Sequence, residues 1–175
     1  GGIALAARDG TVYLAYADRP QGGALTVLSR SDEEDASWAP VGSRGFGTVP
    51  TGTIDLVVTG GGIPVVSVRI GTESASAGPD LDLEVYRFVD GAWTQDSLPV
   101  PTSQKPAHHA LLLDENALYL AFEDISTDPS TIRLYRHSTS SGWSELTQLS
   151  RTAGGRAIAG GFAAAAANDR LVVAL

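Results

Sequence analysis

Five charged residues recur where predicted strands run into loops, and their types and spacing favour binding chemistry. They stand at equivalent places in three units of the sequence: Asp18 and Arg19, Arg69, and Glu123 and Asp124. A carboxylate at such a place can accept hydrogen bonds from the hydroxyl groups of a sugar, or it can accept backbone N–H groups and hold the turn together. The structural role is favoured, because only isolated acids are visible there and a binding site needs several groups. We predict these five residues as the ligand-binding candidates, since loops on a rigid scaffold are where binding residues concentrate.

Other familiar chemistries find little support in the residues. The chain has no Cys, which excludes disulfides, thiolate catalysis and Cys-ligated zinc. His108 and His109 are neighbours on a predicted strand and so point to opposite faces, which disfavours a shared metal ion. Asp80, Asp82 and Glu84 alternate along one face but lack the glycine turn of a calcium loop. Because no nucleophile elbow, phosphate loop or dinucleotide fingerprint is present, we predict no catalytic residue, no metal and no cofactor.

The composition is that of a globular, acidic chain. Of its 175 residues, 43% are hydrophobic and 18% are charged, which is enough apolar material for a buried core. The net charge of -8 argues against a nucleic-acid or an anionic-membrane partner. No apolar run approaches the roughly 20 residues that are needed to cross a bilayer. The absence of Met predicts that the chain is a processed or excised piece of a longer polypeptide.

A repeat of about 53 residues organises the whole chain. Four similar segments, rich in β-branched and aromatic residues and apolar on both alternations, predict strands that are buried on both faces. Another apolar run precedes each of them, across a tight turn of Gly, Asn or Asp that favours a hairpin. The four segments are 11–16, 63–68, 117–122 and 170–175.

A third strand and a tryptophan complete each full unit. The third strand alternates apolar and polar residues, as a strand with one wet face does. A polar turn follows, and then a Trp that we predict to open a short fourth strand and to fasten it by packing. A strand is also predicted at 163–167, against its helical propensity, because its register matches the other units. The third strands are 25–30, 83–88 and 132–137, and the tryptophans are Trp38, Trp93 and Trp143.

Four antiparallel strands per unit, falling in hydrophobicity from the first to the fourth, are typical of a β-propeller blade. We therefore predict an all-β fold: a β-propeller segment of about three and a half four-stranded antiparallel blades, in one partial domain over 1–175. The repeats cover 9–61, 62–115 and 116–169, with half-blade strands at 1–8 and 170–175. Such a segment leaves an open apolar edge, so the predicted partner is the remainder of a longer propeller chain or a second copy that closes the ring.

Parts of these units resemble the repeats of secreted bacterial β-propellers. In 13–18, 38–46 and 86–93, an inner strand ending in an aromatic residue and Asp leads to a Tyr-rich strand, a polar Gly turn and a Trp. Residues 31–38 are also similar to the Asp-box of sialidase-type propellers, although Glu33 stands where Asp is expected and Asp35 where Gly is expected. In that family the box is a folding element, so this likeness implies architecture only.

The resemblance implies an exported bacterial protein that is extracellular, at the cell surface or in the periplasm. Propellers of this kind include lectins, adhesive surface proteins and enzyme scaffolds. We expect a non-catalytic binding or adhesion module with a carbohydrate or protein ligand. Two alternatives stay open. One is the propeller domain of a sialidase-like or glycosidase-like enzyme, since twenty acidic residues can supply two catalytic carboxylates; the other is a purely structural surface protein.

Overall fold

Fourteen β-strands make up the fold in the part of the chain that the structure, a computed structural model, describes. That part comprises residues 2–74, 78–101, 103–114, 117–128, 130–150, 163–167 and 170–174. The first unit holds β1 (Ile3–Arg8), β2 (Thr11–Ala17), β3 (Leu25–Ser31) and β4 (Ala39–Pro40). The second holds β5 (Ile54–Val58), β6 (Pro64–Ser74), β7 (Gly78–Val89) and β8 (Ala92–Asp96). The others are β9 (Pro106–Asp114), β10 (Ala117–Asp124), β11 (Thr131–Ser138), β12 (Gly142–Ser150), β13 (Ala163–Ala167) and β14 (Arg170–Ala174).

Each unit is a sheet of its own, in which every strand pairs antiparallel with its neighbours in chain order. The first, second and third sheets are β1–β4, β5–β8 and β9–β12, and β13 pairs with β14. The prediction of an all-β fold with four-stranded antiparallel units is confirmed, and each of these sheets is open. A one-turn 3-10 helix covers Arg19–Gln21, and among the described residues no helix is long and apolar enough to span a membrane.

The β6–β7 hairpin of the second sheet extends further than the sequence predicts. A loop is expected at 69–71, but β6 continues to Ser74 and still pairs with β7 at Gly71, opposite Leu81. Gly71 has a φ of 101°, and the Asp80 carbonyl lies where a Cβ would stand, so only glycine fits there. β6 and β7 extend beyond the predicted loop because their backbones pair without interruption from Val65 opposite Arg87 to Ser74 opposite Gly78.

Two short segments show where the strand predictions hold and where they shift. The alanine run Ala163–Ala167 forms β13 and pairs with β14, as the repeat predicts against helical propensity. β4 covers only Ala39–Pro40 and begins after Trp38 rather than at it. Pro40 brings no backbone N–H to the ladder, which limits this strand. The predicted repeat boundaries at 115–116 and at 169 lie outside the described residues.

The three sheets pack face to face in chain order, with the second sheet in the middle. On β6, Val66 and Val68 face the first sheet while Val65 faces the third, as alternation along a strand requires. This is why the second strands are apolar on both alternations. Buried between the first and second sheets are Ala15, Leu25, Val27, Ile54, Leu56, Val66, Val68 and Tyr86. Buried between the second and third are Val65, Leu83, Val85, Leu111, Leu118, Leu120, Phe122, Tyr135 and Trp143.

Candidate functional site

Asp18 comes directly after β2 and holds a connector of the first sheet in place. The residue is 1% exposed, and its Oδ2 accepts hydrogen bonds from Thr26 Oγ1 at 2.9 Å and from Arg44 Nη2 at 2.7 Å. Burial by itself raises the pKa of Asp18, but the bonds from Arg44 and Thr26 outweigh it and bring the pKa below its usual value. These donors belong to the chain itself, so a ligand would have to displace Arg44 to reach this carboxylate.

Asp124, the last residue of β10, has the same kind of environment in the third sheet. It is fully buried, and its Oδ1 accepts hydrogen bonds from the Ser126 hydroxyl at 2.6 Å and from the Lys105 backbone N–H at 3.0 Å. Its Oδ2 accepts a bond from Arg133 Nε at 2.9 Å. Burial raises the pKa of this carboxyl, but the hydrogen bonds lower the pKa by more, so the net pKa lies below the usual value. In this structure both aspartates hold turns together.

The other three predicted residues have different surroundings. Arg19 is exposed in the 3-10 turn. Glu123 is 7% exposed, and its Oε1 accepts a hydrogen bond from the Ser130 hydroxyl at 2.7 Å. The sequence places Arg69 in a loop, and that expectation is wrong: Arg69 lies within β6, because the β6–β7 hairpin continues beyond it. Glu123 and Asp124 likewise belong to a strand, since they are the last two residues of β10. The three carboxylates stand at or next to the ends of second strands, whereas Arg69 lies inside β6, so they belong to different local environments.

Arg69 belongs to a group of polar side chains between the second and third sheets. We call it the interlayer cluster: Thr53, Asp55, Ser67, Arg69 and His109. Thr53 directly precedes β5 and Asp55 lies within it, Ser67 and Arg69 come from β6, and His109 comes from β9 of the third sheet. Nδ1 of His109 lies 3.2 Å from Thr53 Oγ1, and its Nε2 lies 3.9 Å from Asp55 Oδ2. Arg69 and Asp55 both contribute to the electrostatic environment of the imidazole.

Apolar residues stand at the corresponding places between the first and second sheets. Asp55 pairs with Ser67 across β5 and β6, at the register where Ala4 pairs with Ala15 across β1 and β2. Ala4 and Ala15 pack into the apolar layer against the second sheet, whereas Asp55 and Ser67 face the third. At equivalent positions, the interface between the first and second sheets therefore has Ala4 and Ala15, whereas the interface between the second and third sheets has Asp55 and Ser67.

His109 is a second polar replacement in the same layer. It pairs with Phe122 across β9 and β10, at the register where Ile54 pairs with Val68 across β5 and β6. Ile54 is buried against the first sheet. An imidazole therefore stands where the preceding sheet has a branched apolar side chain.

Burial makes the interlayer cluster costly for the fold. Ser67 is fully buried, and the His109 side chain is 1% exposed. Among the described residues, Ser67 Oγ and His109 Nε2 have no hydrogen-bond partner, and each such buried atom costs about 1–3 kcal/mol. Burial lowers the pKa of His109; Asp55 and the Ser67 backbone act in the opposite direction, but the net pKa stays below the ordinary 6.5. The imidazole is therefore neutral near physiological pH, with one nitrogen that donates and one that accepts.

The sequence predicts a solvated strand start at His108 and His109, and for His109 this is wrong. The expected alternation does hold, since His108 is exposed while the His109 side chain is buried. Which of the two points inward follows from the repeat, because Ile54 holds the place of His109 in the second sheet. A comparison of equivalent positions carries this signal, whereas a search for known motifs misses it.

A second polar region opens between the second and third sheets around Asp96. Two adjoining cavities, of about 380 Å³ and about 280 Å³, share Asp96, Ser97 and Leu98 in their walls. Asp96 accepts a hydrogen bond from Arg87 Nε at 2.9 Å, and His137 Nε2 lies 3.9 Å from its Oδ2. The sequence alone did not indicate this group, because its members come from separate sheets and match no local motif. Among the residues that the structure describes, no three His, Asp or Glu side chains are grouped to hold a metal ion.

Trp93 and Trp143 fasten neighbouring sheets to one another. The Trp93 indole N–H donates to the Val41 carbonyl at 2.7 Å, and the Trp143 indole N–H donates to Asp96 Oδ2 at 3.1 Å. Both tryptophans have a structural role, as the sequence predicts, but each bond reaches the preceding sheet rather than the sheet to which the Trp belongs. Trp38, which has no preceding sheet among the described residues, is 41% exposed.

Comparison with known proteins gives a fold likeness and no family. No family model matches the sequence, and no curated protein matches it. The chain is similar to a solved structure described as "Structure of YjhT", with a TM-score of 0.51 and 12% sequence identity. The match covers 84% of this chain and 45% of that chain. At this identity the likeness shows the fold alone, and the chain spans less than half the length of the protein that it matches.

Proposed function

We propose that this chain is a segment of a β-propeller that acts as a non-catalytic binding module of an exported bacterial protein. Three sheets with the same strand order, stacked in chain order and linked by the same kind of tryptophan contact, support the propeller. The bacterial source and the location, at the cell surface, outside the cell or in the periplasm, rest on the resemblance of the repeats.

The interlayer cluster is the observation that carries the binding role. Ala and Ile fill the equivalent places one interface earlier, so the architecture does not require polar groups there. Buried polar atoms without partners lower stability, and such a cost is typical of residues that serve a function. A ligand that hydrogen-bonds Ser67 Oγ and His109 Nε2 removes this cost on binding. Asp55, whose side chain is 36% exposed, marks the side from which a ligand reaches them.

The chemistry of the cluster suits a neutral ligand that is rich in hydroxyl groups, such as a carbohydrate. The hydroxyls of Thr53 and Ser67 both donate and accept, and the neutral imidazole of His109 offers one donor and one acceptor. Asp55 Oδ2 already accepts a hydrogen bond from the Leu111 backbone N–H at 3.2 Å, so its carboxylate offers a ligand the remaining acceptor positions, and Arg69 adds donors. A sugar hydroxyl also donates and accepts, so it can satisfy several of these groups at once.

Catalysis has less support than binding. A serine nucleophile needs a base within hydrogen-bond reach, but Ser67 Oγ has no partner among the described residues. Nε2 of His109 lies 3.9 Å from Asp55 Oδ2, beyond the distance at which an acid orients a catalytic imidazole. Asp18 and Asp124 are occupied by donors of their own chain, so neither offers a free catalytic carboxylate.

Binding of the purified chain to a glycan array, beside an assay for release of a reporter group from a panel of glycosides, tests this proposal. Specific binding without turnover supports it. The double variant Ser67→Ala/His109→Ile introduces the residue types that the repeat uses at these places, and it should abolish binding while the fold stays intact. Asp80→Ala, at a carboxylate that is 91% exposed, is the matched control and should bind normally. Turnover that is lost in the double variant supports a carbohydrate-active enzyme instead. If the chain shows no binding and no turnover, the result supports a purely structural surface protein.

A further inference from the structure

The first sheet turns an apolar face away from the rest of the molecule. On β1, Ile3 is 69% and Leu5 is 66% exposed, whereas Ala4 and Ala6 pack toward the second sheet. Leu14 and Leu28 lie on the same side as Leu5, because directly paired residues share a face. Large apolar side chains gathered on one face mark an interaction surface. We call this the outer face of the first sheet: Ile3, Leu5, Leu14, Leu28 and Trp38.

This outer face has a counterpart inside the molecule. Leu5 pairs with Leu14 across β1 and β2, at the register where Leu56 pairs with Val66 across β5 and β6. Leu56 is 7% and Val66 is 0% exposed, because the first sheet covers them. The outer face of the first sheet is therefore the same kind of surface that the second sheet uses to pack onto its neighbour.

Trp38 occupies the place in the first unit that Trp93 and Trp143 occupy in the second and third units. Trp93 donates to the carbonyl of Val41, three residues after Trp38, and Trp143 donates to Asp96, three residues after Trp93. The acceptor thus lies at the same place in the preceding sheet both times. Within the described residues no hydrogen bond of the Trp38 indole is found, and Trp38 is 41% exposed. A preceding sheet would both cover this ring and supply its acceptor.

We propose that the outer face of the first sheet docks one further four-stranded antiparallel sheet of the same architecture, supplied from outside residues 1–175. The inference rests on the propeller segment proposed above and not on the ligand of the interlayer cluster, so the docking test and the binding test can fail independently. The partner sheet carries small apolar side chains where it meets Ile3 and Leu5, as Ala4 and Ala15 do toward the second sheet. Its outer strand offers a carbonyl or carboxylate to the indole N–H of Trp38.

A second copy of this chain fits the outer face less well. To continue the stack, the copy would have to present the far face of its third sheet. There β13 already lies against β9, while β5 and β6 occupy the other side of β9. The far face is therefore not free to receive four strands, which favours a separate sheet as the occupant.

An extended chain tests the proposal. In it, a duplicate of residues 1–53 precedes the chain, so that a copy of the first sheet can cover the outer face of the original first sheet. The duplicate carries Trp38→Phe, so that the original Trp38 remains the reporter. We expect the emission of the original Trp38 to shift to the blue and its quenching by acrylamide to fall, with the other two tryptophans as a constant background. Leu5→Glu in the original copy should cancel both changes. Ile125→Glu, at a side chain that is 39% exposed in the turn after β10, is the control and should leave them intact.

Three results overturn the proposal. A folded extended chain, with added β-structure by circular dichroism, whose Trp38 stays as exposed as before shows that this face does not dock a sheet. A discrete dimer of the 175-residue chain in light scattering, dissociated by Leu5→Glu, shows that a second copy is the occupant. Binding of an apolar dye by the native 175-residue chain, reduced by Leu5→Glu, provides a test even where the extended chain does not fold. An absence of dye binding contradicts the proposal.

Discussion

The indole N–H of Trp143 donates to Asp96 Oδ2 at 3.1 Å, so the third sheet is bonded to the last residue of β8 in the second. Arg87 donates to the same carboxylate at 2.9 Å from within the second sheet. The Asp96 side chain, which is 9% exposed, therefore joins a contact inside one sheet to a contact between two sheets. Trp93 and the Val41 carbonyl form the corresponding bond one interface earlier.

Trp143→Phe should weaken the interface between the second and third sheets. The variant keeps an aromatic ring but leaves Asp96 without one of its donors, so we expect the free energy of unfolding to fall by about 1–3 kcal/mol. Trp38→Phe is the matched control, and it should change this free energy by less than about 0.5 kcal/mol, because the Trp38 indole makes no bond in the described structure. Urea unfolding measures both. Equal losses at the two positions would contradict a role of Trp143 as a contact between sheets.

Ser67→Ala should make the chain more stable. It removes a buried hydroxyl that has no partner and installs the residue type found at Ala15, so we expect the free energy of unfolding to rise by about 1 kcal/mol. Thr26→Ala is the contrasting variant, because the buried Thr26 hydroxyl donates to Asp18 at 2.9 Å and its loss should be destabilising. Thermal unfolding followed by circular dichroism distinguishes the two. A destabilising Ser67→Ala would show that this hydroxyl is satisfied and would remove the main support for the interlayer cluster as a binding site.

The repeat made the four-strand organisation predictable, because each unit carries the same order of apolar, alternating and polar strands. It also identified Ala163–Ala167 as a strand, where local propensity alone favours a helix. The extent of β6 could not be predicted in the same way. Arg69 and Gly71 precede a stretch of small and polar residues that is typical of a loop, yet they continue to pair with β7. Strand length here depends on the backbone partner, which no local pattern reveals.

The candidate site was predictable only in part. The positions of Asp18 and Asp124 at the ends of second strands follow from the repeat. Their partners do not, since Arg44 reaches Asp18 from 26 residues away in a connector without a periodic pattern. The sequence singles out His109 as a candidate residue but does not predict that it is buried, because its burial depends on the sheet that covers it. Contacts between sheets are set by tertiary packing, and the repeat indicates them only when equivalent positions are compared.

Asp124→Ala should lower the free energy of unfolding by about 3 kcal/mol, because it leaves the Arg133 guanidinium and the Lys105 backbone N–H without their acceptor. Asp124→Asn should cost less, since an amide oxygen still accepts. Asp80→Ala removes a carboxylate that is 91% exposed, and it should stay within about 0.5 kcal/mol of the original chain. Denaturant unfolding of the three variants measures the differences. If Asp124→Ala is as stable as Asp80→Ala, the carboxylate does not hold the turn and is available to a ligand.

Stability should fall as the pH drops from about 7.5 to about 5.5, because two buried histidines are held neutral in the fold. Burial lowers the pKa of His109, and burial together with the charge of Arg87 lowers the pKa of His137 against the opposing effect of Asp96. In the unfolded chain both return to the ordinary value of 6.5, so the unfolded chain takes up protons first. The stabilisation is therefore complete above about pH 6.5 and is lost progressively as the pH falls below it.

Urea unfolding at a series of pH values tests this dependence, and His109→Ile is the informative variant. Without the His109 imidazole the loss of stability below about pH 6.5 should be smaller, while the behaviour above that pH stays unchanged. Asp18 and Asp124 have pKa values below the usual 3.8, so they remain charged throughout this range and contribute to the pH dependence only in stronger acid. A chain that becomes more stable on mild acidification would show that Asp55 holds His109 protonated. The interlayer cluster would then carry a positive charge, which suits an anionic ligand rather than a neutral one.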